Sequence, residues 1–101
     1  MVNPKEKEIQ RLIMDYLKFK KIFMWRNNSG ALKTDHGFIR FGDVGSPDVF
    51  AVQKGQVYGI EVKRLKSTQS DYQLDWQRRF ESSEGVYKVV RSLDDIISLF
   101  P

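Results

Sequence analysis

The chain has 101 residues, no cysteine and one histidine, with 17 basic against 13 acidic side chains for a net charge of +4. That length suits a single domain over residues 1–101, which at this size removes roughly two-thirds of its unfolded surface from water. Lacking cysteine, it has no disulfide scaffold, thiolate zinc site or cysteine nucleophile, and the lone His36 argues against histidine-rich metal sites and a Ser-His-Asp triad.

The basic balance, with an isoelectric point near 9.4, suits a polyanionic partner. The longest early apolar run is Leu12-Ile13-Met14, bounded by Arg11 and Asp15, so no signal peptide is legible. No stretch approaches the roughly 20 apolar residues of a membrane span. A soluble, cytoplasmic chain without a membrane partner is expected.

The first element is a helix. Asn3 can cap it, Pro4 suits its first position, and Glu6 follows Asn3 at capping-box spacing. Ile9, Leu12, Ile13, Tyr16 and Leu17 then build one apolar face, and Lys18, Lys20 and Lys21 crowd the last turn. Ile22 to Arg26 reads as a short strand, followed by the turn residues Asn27-Asn28-Ser29-Gly30. Ala31 to Val44 is ambiguous: Phe38 to Phe41 alternates like a strand, while Lys33–Gly37 and Gly42–Ser46 read as loops.

Two strands follow, Asp48–Gln53 and Gln56–Lys63, joined by Lys54-Gly55. Ser67 or Thr68 should cap a second helix running to Ser83, its buried face partly defined by Leu74, Trp76, Gln77 and Phe80. Glu84-Gly85 ends it, Val86–Val90 forms a last strand, and Ser92 caps a short helix with Leu93, Ile96, Ile97 and Phe100. The order is α-β-β-β-α-β-α, with Phe38–Phe41 as an additional strand after the first. This is an α/β arrangement, a mixed sheet flanked by helices.

The chemistry centres on Gly45-Ser46-Pro47-Asp48 followed, after twelve residues, by Glu61-Val62-Lys63. Side chains alternate along a strand, so Glu61 and Lys63 share a face with Val57 and Gly59. With Lys54-Gly55 as a two-residue turn, the pairing carried outward from Gln53 and Gln56 sets Asp48 opposite Glu61. Like charges so opposed destabilise a sheet, and a divalent cation such as Mg²⁺ or Mn²⁺ would reconcile them. Lys63 could then orient or deprotonate an attacking water, or stabilise charge on a phosphoryl group. Gly59 would leave the approach to that face open, and Pro47 ends the strand beside Asp48. The competing reading is a solvated hairpin with a polar face; against it, Phe50, Val52 and Val57 share the face with the charges.

Pro-Asp, a strand and Glu-x-Lys are similar to the signature of the PD-(D/E)XK nucleases. The order of motifs resembles the VRR-NUC branch. It comprises a helix beginning Glu8-Ile9-Gln10, Trp25-Arg26-Asn27-Asn28-Ser29-Gly30, then Gly45-Ser46-Pro47-Asp48 and Glu61-Val62-Lys63. A helix with Ser70-Asp71-Tyr72-Gln73 follows, then Gly85 to Val90-Arg91-Ser92, so the match takes in nearly the whole chain. Ser92 departs from the family's Val-Arg-Arg triplet.

The resemblance implies a restriction-endonuclease-like fold and a Mg²⁺- or Mn²⁺-dependent endodeoxyribonuclease without a small-molecule cofactor. Asp48, Glu61 and the Val62 carbonyl would hold the metal, and Lys63 would serve the attacking water. Glu8 would be a further acidic contributor, to catalysis and to the metal, and Gln73 a polar one, though Gln73 could equally be a surface amide. Glu6, nearer the apolar side of the helix, rivals Glu8, but the capping box accounts for it and Glu8 precedes Ile9-Gln10 as in the family. For nucleic-acid contact the expected residues are Arg26, Asn27, Asn28, Ser29 and Arg40, with Arg64 and Lys66, groups that suit phosphate oxygens rather than bases. Trp25 and Trp76 are expected in the core. Stand-alone domains of this kind resemble small phage or bacterial homodimers that cut branched DNA, especially four-way (Holliday) junctions, and a phage-encoded one would act in host cytoplasm. The alternatives are a non-catalytic DNA-binding module and a subunit of a larger restriction or repair complex.

Overall fold

A computed structural model describes residues 4–101, with backbone alone at Pro4, Arg40 and Phe41. The expected cap Asn3 lies outside the described residues. The elements are α1 (Pro4–Phe19), β1 (Phe23–Arg26), β2 (Gly30–Thr34), β3 (Gly37–Phe41), β4 (Val49–Gln53), β5 (Gln56–Val62), α2 (Asp71–Ser82), β6 (Val86–Val90) and α3 (Leu93–Leu99). Strands β1-β4-β5-β6 form a mixed sheet, antiparallel except for the parallel β5–β6 pair. The β5-to-β6 crossover carries α2, as parallel neighbours require.

Alternation along β4 and β5 sends two sets of side chains to opposite faces. Val49, Ala51, Ile60 and Val62 meet Ile13 and Leu17 of α1 and Ile96 of α3, closed at the end by Phe100. Tyr58 stacks edge-on against Phe100 with ring centres 4.8 Å apart, and the Tyr16 hydroxyl donates to the Phe100 carbonyl at 2.6 Å. Ile13, Leu17, Ile60 and Ile96 are wholly buried, each stabilising the fold by about 1.5–3 kcal/mol. On the other face Phe50 packs against Trp76 and Phe80 of α2. That face carries the acidic end of the hairpin.

Three local expectations are corrected. β2 occupies part of the stretch that reads as loop, pairing with β3 as a separate two-stranded sheet. Its turn is held by Thr34, whose hydroxyl accepts from the His36 N–H and donates to the Gly37 carbonyl, a side-chain device that strand periodicity does not register. The second helix starts at a Ser70 cap rather than at Ser67 or Thr68, because Ser70 and Gln73 complete a capping box. Leu12, Leu74 and Trp25 are 47%, 48% and 43% exposed, so the apolar faces are narrower than the helical pattern implies and Trp25 is not a core residue. Trp76 is.

Candidate active site at the mouth of the β4–β5 hairpin

The hairpin keeps the expected register from Gln53–Gln56 to Val49–Ile60. Beyond it the ladder slips: the Asp48 N–H donates to the Ile60 carbonyl at 3.1 Å, and the Asp48 Oδ2 accepts the Val62 N–H at 2.8 Å. Asp48 is thereby turned across the end of β5 toward Glu61. Its loop is pinned from both sides. Asn27 Nδ2 donates to Ser46 Oγ at 2.7 Å and to the Pro47 carbonyl at 2.9 Å, while Ser46 Oγ donates to the Asp43 carbonyl. Trp76 Nε1 donates to Asp43 Oδ2 at 2.9 Å, tying the loop to α2. Gly45, at φ +86°, passes so close to α2 that a Cβ there would collide with the Tyr72 carbonyl. Gly59 does not open the approach to the face; a Cβ there would meet Pro47, Phe80 and Tyr87, so it allows close packing instead.

Glu61 is 4% exposed. Its Oε2 accepts from Gln73 Nε2 at 3.2 Å and lies 4.0 Å from Lys63 Nζ. Its Oε1 is buried and accepts from no N–H or hydroxyl among the described residues, and the Asp48 carboxyl is in hydrogen-bond contact with the Glu61 carboxyl. A buried acceptor without a donor costs about 1–3 kcal/mol, more for a charged group. Burial, reinforced by the Asp48 charge, pushes the Glu61 carboxyl up to about 9. Asp48 is also raised by burial, against the Val62 N–H that favours its charged form. Two carboxyls in one desolvated corner cannot both ionise cheaply, so they retain a proton at neutral pH. Tyr87 is pushed up by burial and by the Glu61 charge, and its hydroxyl accepts from Gln69.

These groups open into a polar cleft of about 540 Å³ lined by Glu6, Lys7, Arg26, Ser29 and Gln73 besides the hairpin residues Asp48, Glu61, Val62 and Lys63. A solved structure described as a VRR_NUC domain matches over 94% of this chain and 92% of that one, with a TM-score of 0.70 and 20% identity. The chain has the VRR_NUC fold. No family model matches the sequence, and no curated protein matches it. The fold is the one that the order of motifs implies.

Within the VRR_NUC fold the expected site residues separate into groups. Asp48, Glu61, Val62, Lys63, Gln73, Arg26 and Ser29 share the cleft. Glu8 does not; it faces a neighbouring groove with Lys7, Gln10, Arg11 and Arg26, and Glu6 stands in the cleft instead. The reason is helical phase: Glu6 precedes Ile9 by three residues and the buried Ile13 by seven, on the stripe that faces the sheet. That spacing is visible in the sequence, but the capping pattern with Asn3 competes with it for the same residue. Asn27 is engaged in holding the Asp48 loop, and Asn28 is exposed. Arg64 and Lys66 line an adjoining groove of about 340 Å³. The Arg40 side chain lies outside the described residues.

Arg91 donates through Nη1 to the carbonyls of Arg64 at 2.5 Å and Ser67 at 2.7 Å, clamping the loop after Lys63. Ser92, standing at the family's second arginine, caps α3. Among the described residues no group of three or more His, Asp or Glu side chains is arranged as a metal cluster. None of their helices is long and apolar enough to cross a membrane.

Proposed function

We propose that the chain is a Mg²⁺- or Mn²⁺-dependent endodeoxyribonuclease of single-domain type. It acts in the cytoplasm on branched DNA such as four-way junctions, and works as a homodimer. The observation that carries this reading is the buried Glu61 Oε1, which accepts from no N–H or hydroxyl among the described residues and lies beside Asp48. An acceptor held dry next to a second carboxyl, at a cost to stability, has a use if a hard cation supplies the missing partner. Two carboxylates suffice, since Mg²⁺ keeps several waters and is commonly held by one or two carboxylates. Asp48, Glu61 and the Val62 carbonyl would hold the cation. Bound there, it would polarise the scissile phosphate and lower the pKa of the attacking water.

The chain's own groups divide the remaining work. Gln73 fixes Glu61 by its Oε2, leaving Oε1 for the cation. Lys63, with a side chain 15% exposed, offers a cation on the carboxylate face for the water or for phosphoryl charge. Glu6 replaces Glu8 as the acidic contributor from α1. Arg26 and Ser29 on the cleft wall suit phosphate oxygens and position DNA. Branched DNA and pairing rest on resemblance and symmetry: a four-way junction has equivalent strands, and an isologous dimer carries two equal sites.

The purified chain, tested on a four-way junction, a flap and linear duplex with and without Mg²⁺ or Mn²⁺, should cut the junction first and only with metal. Cleavage that survives Glu61→Gln, or an inert chain that still binds DNA, would replace this reading with that of a binding module.

A further inference from the structure

The cleft does not end at its own rim. Lys7 and Arg26 line it and also line the adjoining groove of about 370 Å³, which adds Arg11, Gln10 and Glu8. Beyond Lys63, the groove of about 340 Å³ is lined by Arg64, Lys66 and Lys5. The first turns of α1 connect these surfaces. Consecutive helical residues fan out by 100°, so Lys5 faces one groove, Glu6 the cleft, and Lys7 the wall shared with the other groove. Arg11, four residues on, stands above Lys7 on the same side.

The charges are arranged by sign. The carboxyls Asp48, Glu61 and Glu6 sit in the middle, whereas the two flanks hold Lys5, Arg64 and Lys66 on one side and Lys7, Arg11 and Arg26 on the other. Among the described residues Glu8 is the one carboxylate lining either flank. A small anion in the cleft would meet only Lys7, Arg26 and Lys63. Flanks of cations on both sides fit a ligand with repeated negative charge that enters and leaves, such as a phosphodiester strand.

We propose that α1 is part of the nucleic-acid surface. One DNA strand crosses its first turns, with Lys7 and Arg11 contacting phosphates on one side of the cut and Lys5 joining Arg64 and Lys66 on the other. The proposal rests on the nuclease reading and adds the strand's path to it.

Salt-titrated anisotropy of a labelled linear duplex, without divalent cation, tests the path on the intact chain. Removing one cation that neutralises a phosphate should lower the slope of log K against log salt by about 0.9, so Lys7→Ala with Arg11→Ala should lower it by about 1.8. Lys5→Ala should lower it by about 0.9. The charge-keeping pair Lys7→Arg with Arg11→Lys should restore the slope, separating phosphate binding from misfolding. Lys18→Ala with Lys20→Ala, at the far end of α1, should leave it unchanged. A native slope in the Lys7/Arg11 alanine pair, in a wild-type chain that binds and cuts DNA, overturns the path alone. A wild-type chain with neither salt-dependent binding nor cleavage overturns the nuclease reading beneath it.

Discussion

The Gln73 amide nitrogen donates to Glu61 Oε2 across 3.2 Å, and the orientation of that amide is set by the helix cap. Gln73 Oε1 accepts the Ser70 N–H at 2.9 Å, and the Ser70 hydroxyl accepts the Gln73 N–H at 3.2 Å. A capping box works with either glutamate or glutamine. Here only glutamine serves, because one end of the side chain must accept and the other must donate.

Gln73→Glu should therefore keep α2 capped but set a third carboxylate against Glu61. Partners of metal ligands typically contribute about 10–100-fold in metal affinity or activity, and a loss of that order is expected. Ser70→Ala should cost about 1 kcal/mol of stability with a smaller loss of activity, since the N–H that orients Gln73 remains. Mg²⁺ titrations of single-turnover cleavage, alongside thermal unfolding, separate the two. Equal losses in both variants would reduce Gln73 to a cap.

The raised Glu61 carboxyl makes stability depend on pH. The folded state holds a proton that the unfolded chain releases near 4.5, and gives it up only near 9. Between those values the native state binds more protons at this site, so the contribution of Glu61 to stability is full below about 4.5 and is lost as pH rises toward 9. Glu61→Gln should flatten that fall and unfold at a higher temperature than wild type at pH 8. Added Mg²⁺ must displace the proton, so it should stabilise wild type more at pH 8 than at pH 6 and leave Glu61→Gln unmoved. Parallel wild-type and Glu61→Gln curves from pH 5 to 9 would remove the buried proton.

Much of this was legible because strand geometry is arithmetic. A two-residue turn at Lys54-Gly55 fixes the register to Val49–Ile60, and alternation then puts Glu61 on the face that carries Phe50 rather than on the core face of Val49, Ile60 and Val62. The missing parts are made by side chains that bond to backbone. Asp48 leaves the ladder to accept the Val62 N–H, Thr34 closes the β2–β3 turn, and Ser70 with Gln73 moves the helix start. None of these changes hydrophobic period. Glu6 is legible only as a rival to Glu8 for a different reason: one residue satisfies two patterns, a cap and the sheet-facing stripe, and the cap is the more conspicuous of the two.

Asn27 and Arg26 adjoin in sequence but should behave differently. Asn27 makes two part-buried hydrogen bonds to the loop carrying Asp48, so Asn27→Ala should cost about 1–3 kcal/mol and lower cleavage without altering the salt dependence of binding. Arg26 is exposed on the cleft wall, so Arg26→Ala should leave stability alone and flatten the salt slope by about 0.9. Urea unfolding and salt-titrated binding on the two variants check this. A flattened slope in Asn27→Ala would return Asn27 to the DNA contacts.

Under the proposed function, substitutions at Lys63 should separate chemistry from binding. Its Nζ stands 4.0 Å from Glu61 Oε2 on a side chain 15% exposed, whereas Arg26 is exposed on the cleft wall. The Lys63 charge also favours ionisation of both carboxyls. Groups that act on a reacting water or on developing phosphoryl charge typically contribute about 10²–10⁴-fold. Lys63→Ala should lower the single-turnover rate by that order at saturating Mg²⁺ and DNA while DNA affinity holds, because an interaction made mainly in the transition state leaves the ground state unaffected. Lys63→Arg should bring back the favourable charge beside the carboxyls but not a group that gives up a proton, since guanidinium stays charged at any working pH. Recovery in Lys63→Arg would assign Lys63 an electrostatic role, and continued loss a role in proton transfer. If Lys63→Ala loses DNA affinity in proportion to rate, the residue is an anchor and its place in the chemistry falls.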